Sequence, residues 1–232
     1  MLVPARNEAR SLPHLVQVLR AELADAGILV VDDASTDTTR QLLSELGVEW
    51  LTLCEHTGVG GAIRAGLRYA LAQGYDAVVR VDGDGQHPAD QIEQVLAPIR
   101  DGHADAVVGS RYRQPSGYRA PGWRRVAQRA LAAWVSAAIG QRITDPTSGF
   151  WAFGPRALRL LAFHHPTGYP EPELLLLLAH NGLRVSEVAI EMRQRLAGRS
   201  SLTAARVGAI AGRTALALLI LPLRRTVPDG DD

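Results

Sequence analysis

Two carboxylates one residue apart, at the end of a β-rich run, are the most chemically pointed feature of the chain. The string VVRVDGDGQHP, from Val78 to Pro88, delivers Asp82 and Asp84 into a loop that also holds Gly83 and Gly85. In an extended segment, side chains two apart share a side. Carboxylates so placed repel one another unless a cation lies between them. A hard divalent ion, Mg2+ or Mn2+, takes oxygen ligands and keeps positions open for diphosphate oxygens. Gln86 adds a third oxygen and His87 flanks the group. The same residues would also make a solvated acidic turn. The register Asp82, Asp84, Gln86, Asp90, Glu93 imitates a calcium-binding EF-hand loop, but His87 stands where the sharp turn requires Gly, and a strand precedes the motif.

A second string, VVDDASTDTT from Val30 to Thr39, ends a strand on two acids and opens a helix with Ser and Thr. Asp33 is placed to accept hydrogen bonds from a nucleobase edge, while Ser35, Thr36 and Asp37 suit helix capping. A third, HTGVGGAIRAG from His56 to Gly66, sets glycines before a helix. It has Ile63 where a dinucleotide fingerprint needs its last Gly or Ala, which argues against a Rossmann cofactor.

These motifs need elements to hold them. The 232 residues suit one domain, or one domain with an appendage. Short β-rich runs, read at Leu2 to Pro4, Ile28 to Asp32, Glu49 to Leu53, Ala77 to Asp82 and Ala106 to Gly109, alternate with helical patterns. That alternation predicts an α/β fold with a mainly parallel sheet, whose ligand site lies at the carboxyl ends of the strands. Leu12, Leu15, Val16 and Leu19 share one face of the first helix. Residues 110–123 read as a polar loop, 127–139 as a helix, 144–153 as irregular, 173–180 as an apolar helix and 183–190 as a strand. A last helix covers 202–221.

Composition removes whole classes of chemistry. All 25 basic residues are Arg, so no lysine is present for a Walker loop, a Schiff base or pyridoxal phosphate. A net charge of +1 gives no general pull on nucleic acid. Cys54 is the sole cysteine, which excludes an intrachain disulfide and a thiolate zinc cluster. No signal peptide and no apolar run of membrane-spanning length is evident, so a cytoplasmic location is expected.

Taken together, the motifs resemble the family 2 glycosyltransferases of GT-A fold, in the branch of dolichol-phosphate mannose synthases and bacterial polyprenyl-phosphate glycosyltransferases. The similarity runs in order through VPARNEA (Val3 to Ala9), VDDASTD (Val31 to Asp37), GVGGAIRAG, VDGDGQHP, GSRY (Gly109 to Tyr112), TDPTSGF (Thr144 to Phe150), Glu173 ahead of EVAI (Glu187 to Ile190), and RLAGRSS (Arg195 to Ser201). The resemblance implies a GT-A domain over 1–201. Pro4, Arg6, Glu8 and Asp33 would line the nucleotide pocket, with Asp82 and Arg195 on the nucleotide sugar. Asp82, Asp84 and Gln86 match the family's metal motif for Mg2+ or Mn2+. Arg111 and Arg195 match phosphate-holding arginines, and Asp145 and Glu173 match acids facing sugar or acceptor, so that Asp84, Asp145, Glu173 and Arg111 form the expected catalytic set. Trp151 and Ser201 stand where that branch carries Arg and Lys.

The activity so implied is metal-dependent, inverting transfer of a hexosyl group from a UDP- or GDP-linked sugar to a polyprenyl phosphate. A soluble hydroxyl acceptor on the same fold is the alternative. A strand ending in Asp-x-Asp-Gly also resembles haloacid dehalogenase-type phosphatases, which would make Asp82 a nucleophile. Residues 202–225, with Leu and Ile flanked by Arg206, Arg213, Arg224 and Arg225, suit a helix lying in a membrane interface; packing on the domain or in a homo-oligomer is the other reading. An acidic tail, 226–232, follows.

Overall fold

The computed structural model describes residues 1–83, 85–113, 122–167, 170–192 and 212. Its strands are β1 (Leu2–Ala5), β2 (Leu29–Asp32), β3 (Glu49–Thr52), β4 (Val78–Arg80), β5 (Ala106–Ser110), β6 (Trp151–Phe153) and β7 (Val185–Ala189). The helices are α1 (Leu12–Glu22), α2 (Thr39–Glu45), α3 (Val59–Ala72), α4 (Ile92–Arg100), α5 (Gly122–Ile139), α6 (Pro155–His164) and α7 (Pro170–His180). One seven-stranded sheet runs β3-β2-β1-β4-β6-β5-β7. Its neighbours are parallel except where β6 pairs antiparallel with both β4 and β5. The mainly parallel α/β architecture expected from the alternating pattern is what forms.

The period of two along each strand sorts side chains onto two cores. Leu2, Leu29, Val31, Val108, Trp151 and Phe153 face α3, α6 and α7, where they meet Leu67, Leu158 and Leu174. Val3, Val30, Val107 and Ala152 face the other way, onto Leu12, Val16 and Leu19 of α1 and Ile92 and Val95 of α4. Burial on both faces explains why β1, β2 and β5 read as continuous apolar runs. The edge strand β3 differs, since Glu49 and Trp50 are exposed.

Glycines set how closely α3 approaches its neighbours. A Cβ at Gly60 would lie 2.3 Å from the Pro166 carbonyl oxygen, and one at Gly66 would lie 2.2 Å from Leu2 Cδ1. The glycine-rich string that resembled a cofactor loop is therefore a packing device that seats α3 against β1 and the 165–167 segment.

Three expectations are corrected. Residues 151–153, read as irregular, form β6; a three-residue strand is too short to show a period. Pro155–His164, for which no element was expected, is helical, with Pro155 at the start, where its missing N–H is no loss. α5 begins at Gly122, ahead of the expected 127. The expected helix at 202–221 and the acidic tail lie outside the described residues, apart from Gly212.

Gly60→Ala is expected to lower folding stability by about 1–3 kcal/mol through overpacking. Gly122→Ala, where a Cβ meets nothing among the described residues within 4 Å, should stay within about 0.5 kcal/mol. Denaturant midpoints of the two variants check this.

Candidate active site

The carboxyl ends of β1, β2 and β4 converge on one edge of the sheet. Beyond β1, Asn7 adopts left-handed backbone at φ 56°, a conformation Asn tolerates better than most residues. Its side-chain oxygen accepts the Thr36 and Asp37 amides at 2.8 and 3.3 Å, and its own amide donates to Ser35 Oγ at 2.9 Å. The Glu8 amide donates to Thr39 Oγ1 at 2.9 Å. The segments after β1 and β2 thus form a single wall. Gly83 joins it to the aspartate motif, because a Cβ there would stand 3.2 Å from the Pro4 carbonyl oxygen and 3.3 Å from Glu8 Cγ. Pro4 is buried, Glu8 half-buried and Arg6 exposed.

Asp33 is nearly inaccessible. Its Oδ1 accepts the Thr57 amide and hydroxyl at 2.7 and 3.0 Å, and its Oδ2 accepts the Gly58 amide at 2.9 Å and meets His56 Nδ1 at 2.7 Å. With two partners on each oxygen, the carboxylate anchors the turn into α3. A base donor reaching Asp33, the residue expected to read a nucleobase edge, meets oxygens that Thr57, Gly58 and His56 already engage.

Asp82 lies two residues past the end of β4. Its amide donates to His87 Nδ1 at 2.9 Å, so the neutral His87 ring carries its proton on Nε2, 3.7 Å from Asp82 Oδ2. That ring stacks on Phe150 with centroids 4.9 Å apart. Asp82 Oδ1 accepts from Arg80 Nε at 3.2 Å, and Arg80 Nη1 donates to Glu171 Oε1 at 3.1 Å. The acid on α7 that joins Arg80 is therefore Glu171. Glu173, expected to face sugar or acceptor, lies two positions and about 200° further round the helix, half-buried. Burial raises the Glu171 pKa, with Arg80 only partly offsetting it. For Arg80, burial acts to lower the pKa but is outweighed by Asp82 and Glu171, which hold it above the usual value. Nearby His165 gives its Nδ1 proton to the Pro166 carbonyl at 2.8 Å, and its buried Nε2 has no hydrogen-bond partner among the described residues. Burial, with Arg80 second, pushes its pKa down to about 3. Neither Arg80 nor Glu171 was singled out from sequence, although an Arg two residues before an Asp on a buried strand signals a paired charge.

The second acid expected to act in catalysis is also engaged. Asp145 is fully buried, and Arg111 grips it side-on, Nε to Oδ2 at 2.6 Å and Nη2 to Oδ1 at 2.7 Å. Gln128 and Thr147 add bonds at 3.1 and 3.2 Å. Glu187 accepts the amides of Thr144 and Asp145, both at 2.9 Å, and so fixes the turn from beneath. Arg111, expected to hold phosphate, and Asp145, expected to face sugar or acceptor, are brought together here as a buried ion pair. Trp151 is wholly buried, its indole N–H donating to the Ser148 carbonyl at 2.8 Å, and it faces Arg80 across the β4–β6 ladder. The position where the branch carries Arg is thus a core position, with a guanidinium on the neighbouring strand.

A cavity of about 520 Å³ lies beside the Arg111–Asp145 pair, lined among others by Tyr112, Arg125, Gln128, Arg129, Arg142 and Ile143. Its three arginines were missed, though Arg125 and Arg129 show the four-residue spacing that places side chains on one helix face. Asp84 and Arg195 lie outside the described residues. Among the described residues no three His, Cys, Asp or Glu side chains form a metal-binding group. Asp82, with its side chain 33% exposed, and half-buried Gln86 supply hard oxygen donors that fit Mg2+ or Mn2+.

A family model described as glycosyl transferase family 2 matches residues 1–163. The chain is 33% identical over 223 residues to the undecaprenyl-phosphate mannosyltransferase of Micrococcus luteus, covering 89% of this chain and 88% of that one. It is 30% identical over 217 residues to the polyprenol monophosphomannose synthase of Mycolicibacterium smegmatis, covering 89% and 82%. Among solved structures, glucosyl-3-phosphoglycerate synthase from Mycobacterium tuberculosis, in complex with Mn2+, UDP-glucose and phosphoglyceric acid, superposes with a TM-score of 0.70 at 22% identity, over 99% of this chain and 80% of that one. That likeness shows the GT-A fold.

Arg111→Met should lower folding stability by about 3 kcal/mol, because it leaves Asp145 buried without its cation; a residue serving only as a phosphate clamp would leave the denaturant midpoint unchanged. His165 supplies a pH test. Its folded pKa lies below the ordinary 6.5, so between pH 6.5 and about 3 the unfolded chain binds the extra proton and stability falls as pH falls. His165→Asn should flatten that slope by about 1.4 kcal/mol per pH unit in urea titrations between neutrality and pH 4.5.

Proposed function

Because the chain belongs to glycosyl transferase family 2, we propose that it moves a hexosyl group from a nucleotide diphosphate sugar to a polyprenyl phosphate. The transfer inverts the anomeric carbon and uses Mg2+ or Mn2+. Family membership also removes the phosphatase alternative. The observation that carries the reading is the aspartate motif at the end of β4, held by Gly83 against the Pro4–Glu8 wall, where a nucleotide and its diphosphate would meet oxygen donors. Asp82, Asp84 and Gln86 would hold the ion, whose chemistry when bound is to neutralise charge developing on the leaving diphosphate.

The chain's own residues account for the rest. Asn7 and Asp33 lock the loops that form the nucleotide wall. Arg125, Arg129 and Arg142, in a cavity whose floor includes Ala132 and Ile143, suit an acceptor with an anionic head and a hydrocarbon tail. A phosphate monoester already carries an anionic nucleophile and needs no strong general base, which agrees with the engagement of Asp145 by Arg111. Arg195 and Glu173 are assigned to donor phosphate and acceptor, respectively. The named relatives act with undecaprenyl phosphate and polyprenol acceptors, which supports the same class here. No helix among the described residues is long and apolar enough to cross a membrane. Access to a lipid acceptor is assigned to peripheral contact at the cytoplasmic membrane face, through residues 202–225.

The test is transfer of labelled sugar from UDP- and GDP-linked hexoses to a short-chain polyprenyl phosphate. Transfer should need Mn2+ or Mg2+, stop in chelator, yield the inverted anomer by NMR, and fall at least about 100-fold in Asp84→Ala, roughly 2.7 kcal/mol of barrier. Transfer to soluble hydroxyls but not to the lipid phosphate would reassign the acceptor, and full activity in chelator would remove the ion.

A further inference from the structure

Arg80 ends β4, and its side chain is 3% exposed. Burying a guanidinium is costly unless its charge and N–H groups are answered. Here Nε donates to Asp82 Oδ1 at 3.2 Å, Nη2 lies 3.1 Å from the same oxygen in an ion pair, and Nη1 donates to Glu171 Oε1 at 3.1 Å in the first turn of α7. Asp82 and Glu171 are thereby tied to opposite ends of one rigid, planar group. The surroundings leave it little room. Trp151 faces Arg80 across the ladder, and a Cβ at Gly149 would lie 2.5 Å from Asp82 Oδ2 and 3.1 Å from Arg80 Nη2.

We propose that Arg80, braced by Glu171, is a positioning residue for Asp82: its fork fixes the rotation of the Asp82 carboxylate and competes with an incoming divalent ion for Oδ1. The proposal rests on the reading of Asp82 as part of the ion-holding motif. Two consequences separate it from simple packing. A cation already on Oδ1 weakens the hold on a divalent ion that arrives without nucleotide, so removing Arg80 tightens binding of the ion alone. Turnover, in contrast, needs the planar fork, because a lysine ammonium in its place keeps the charge but cannot donate in parallel to both carboxylates.

The experiment compares wild type, Arg80→Lys and the double variant Arg80→Met/Glu171→Met, which removes the cation together with its brace. Calorimetric titration with MnCl2 alone is run beside steady-state kinetics and thermal melts. Arg80→Lys is expected to lose at least tenfold in kcat with the donor KM within threefold. The double variant is expected to melt at or above the wild-type temperature, to bind Mn2+ alone at least threefold more tightly, and to remain at least tenfold slow. If Arg80→Lys does not fold, the Mn2+ affinity and turnover of the double variant decide. Wild-type kcat in Arg80→Lys, or wild-type Mn2+ affinity and turnover in the double variant, would reduce the pair to packing and overturn the proposal. Wild-type protein that binds no Mn2+ with or without UDP or GDP would instead overturn the metal reading on which it rests.

Discussion

The insertion of β6 between β4 and β5 is the constraint on which the site depends. Its three residues pair antiparallel with both neighbours, Trp151 facing Arg80 on one side and Val108 on the other. Trp151 and Phe153 fill one core and Ala152 the other, so a slip of one residue would send two large rings into the wrong layer. With the register held in this way, the turn before β6 has one place to go. Gly149 lies against Asp82, Phe150 lies beneath His87, and Asp145 meets Arg111.

Charge burial then divides the labour among the acids. Asp145 is engaged by Arg111, Asp33 by the His56–Gly58 turn, and Asp82 by Arg80 on one of its oxygens. In a low-dielectric interior an unpaired carboxylate is costly, so acids that pack deeply take partners from the protein. Those partners are loops and neighbouring strands, and the outcome is a rigid rim around the sheet edge. Asp82, whose side chain is one-third exposed, and the arginines of the cavity beside α5 keep contact with solvent.

The same division accounts for one of the two cationic positions at which the chain departs from the polyprenyl-phosphate branch. Position 151 is a core position of a central strand, where an indole packs and donates its N–H to Ser148. The guanidinium on that face comes from Arg80 instead, one strand away and tied to α7 through Glu171. Position 201 lies outside the described residues.

The sequence by itself determined the architecture. Apolar runs of strand length alternating with amphipathic helices can bury their faces only as a mainly parallel, doubly covered sheet, and acids at the strand ends mark its carboxyl edge. The family was legible as well, because ordered motifs survive as linear strings. Tertiary structure alone decided which acids serve as anchors and which face solvent. A side chain's partner can lie dozens of residues away, as Glu171 does from Arg80, and neither periodicity nor spacing encodes that meeting. Strand β6 stayed hidden for a related reason: three residues hold no measurable period, and their pairing is imposed by β4 and β5. Asp145 was legible as a motif residue, but its burial, fixed by Arg111 and by the Glu187 carboxylate beneath it, exists only once the sheet has closed around the turn.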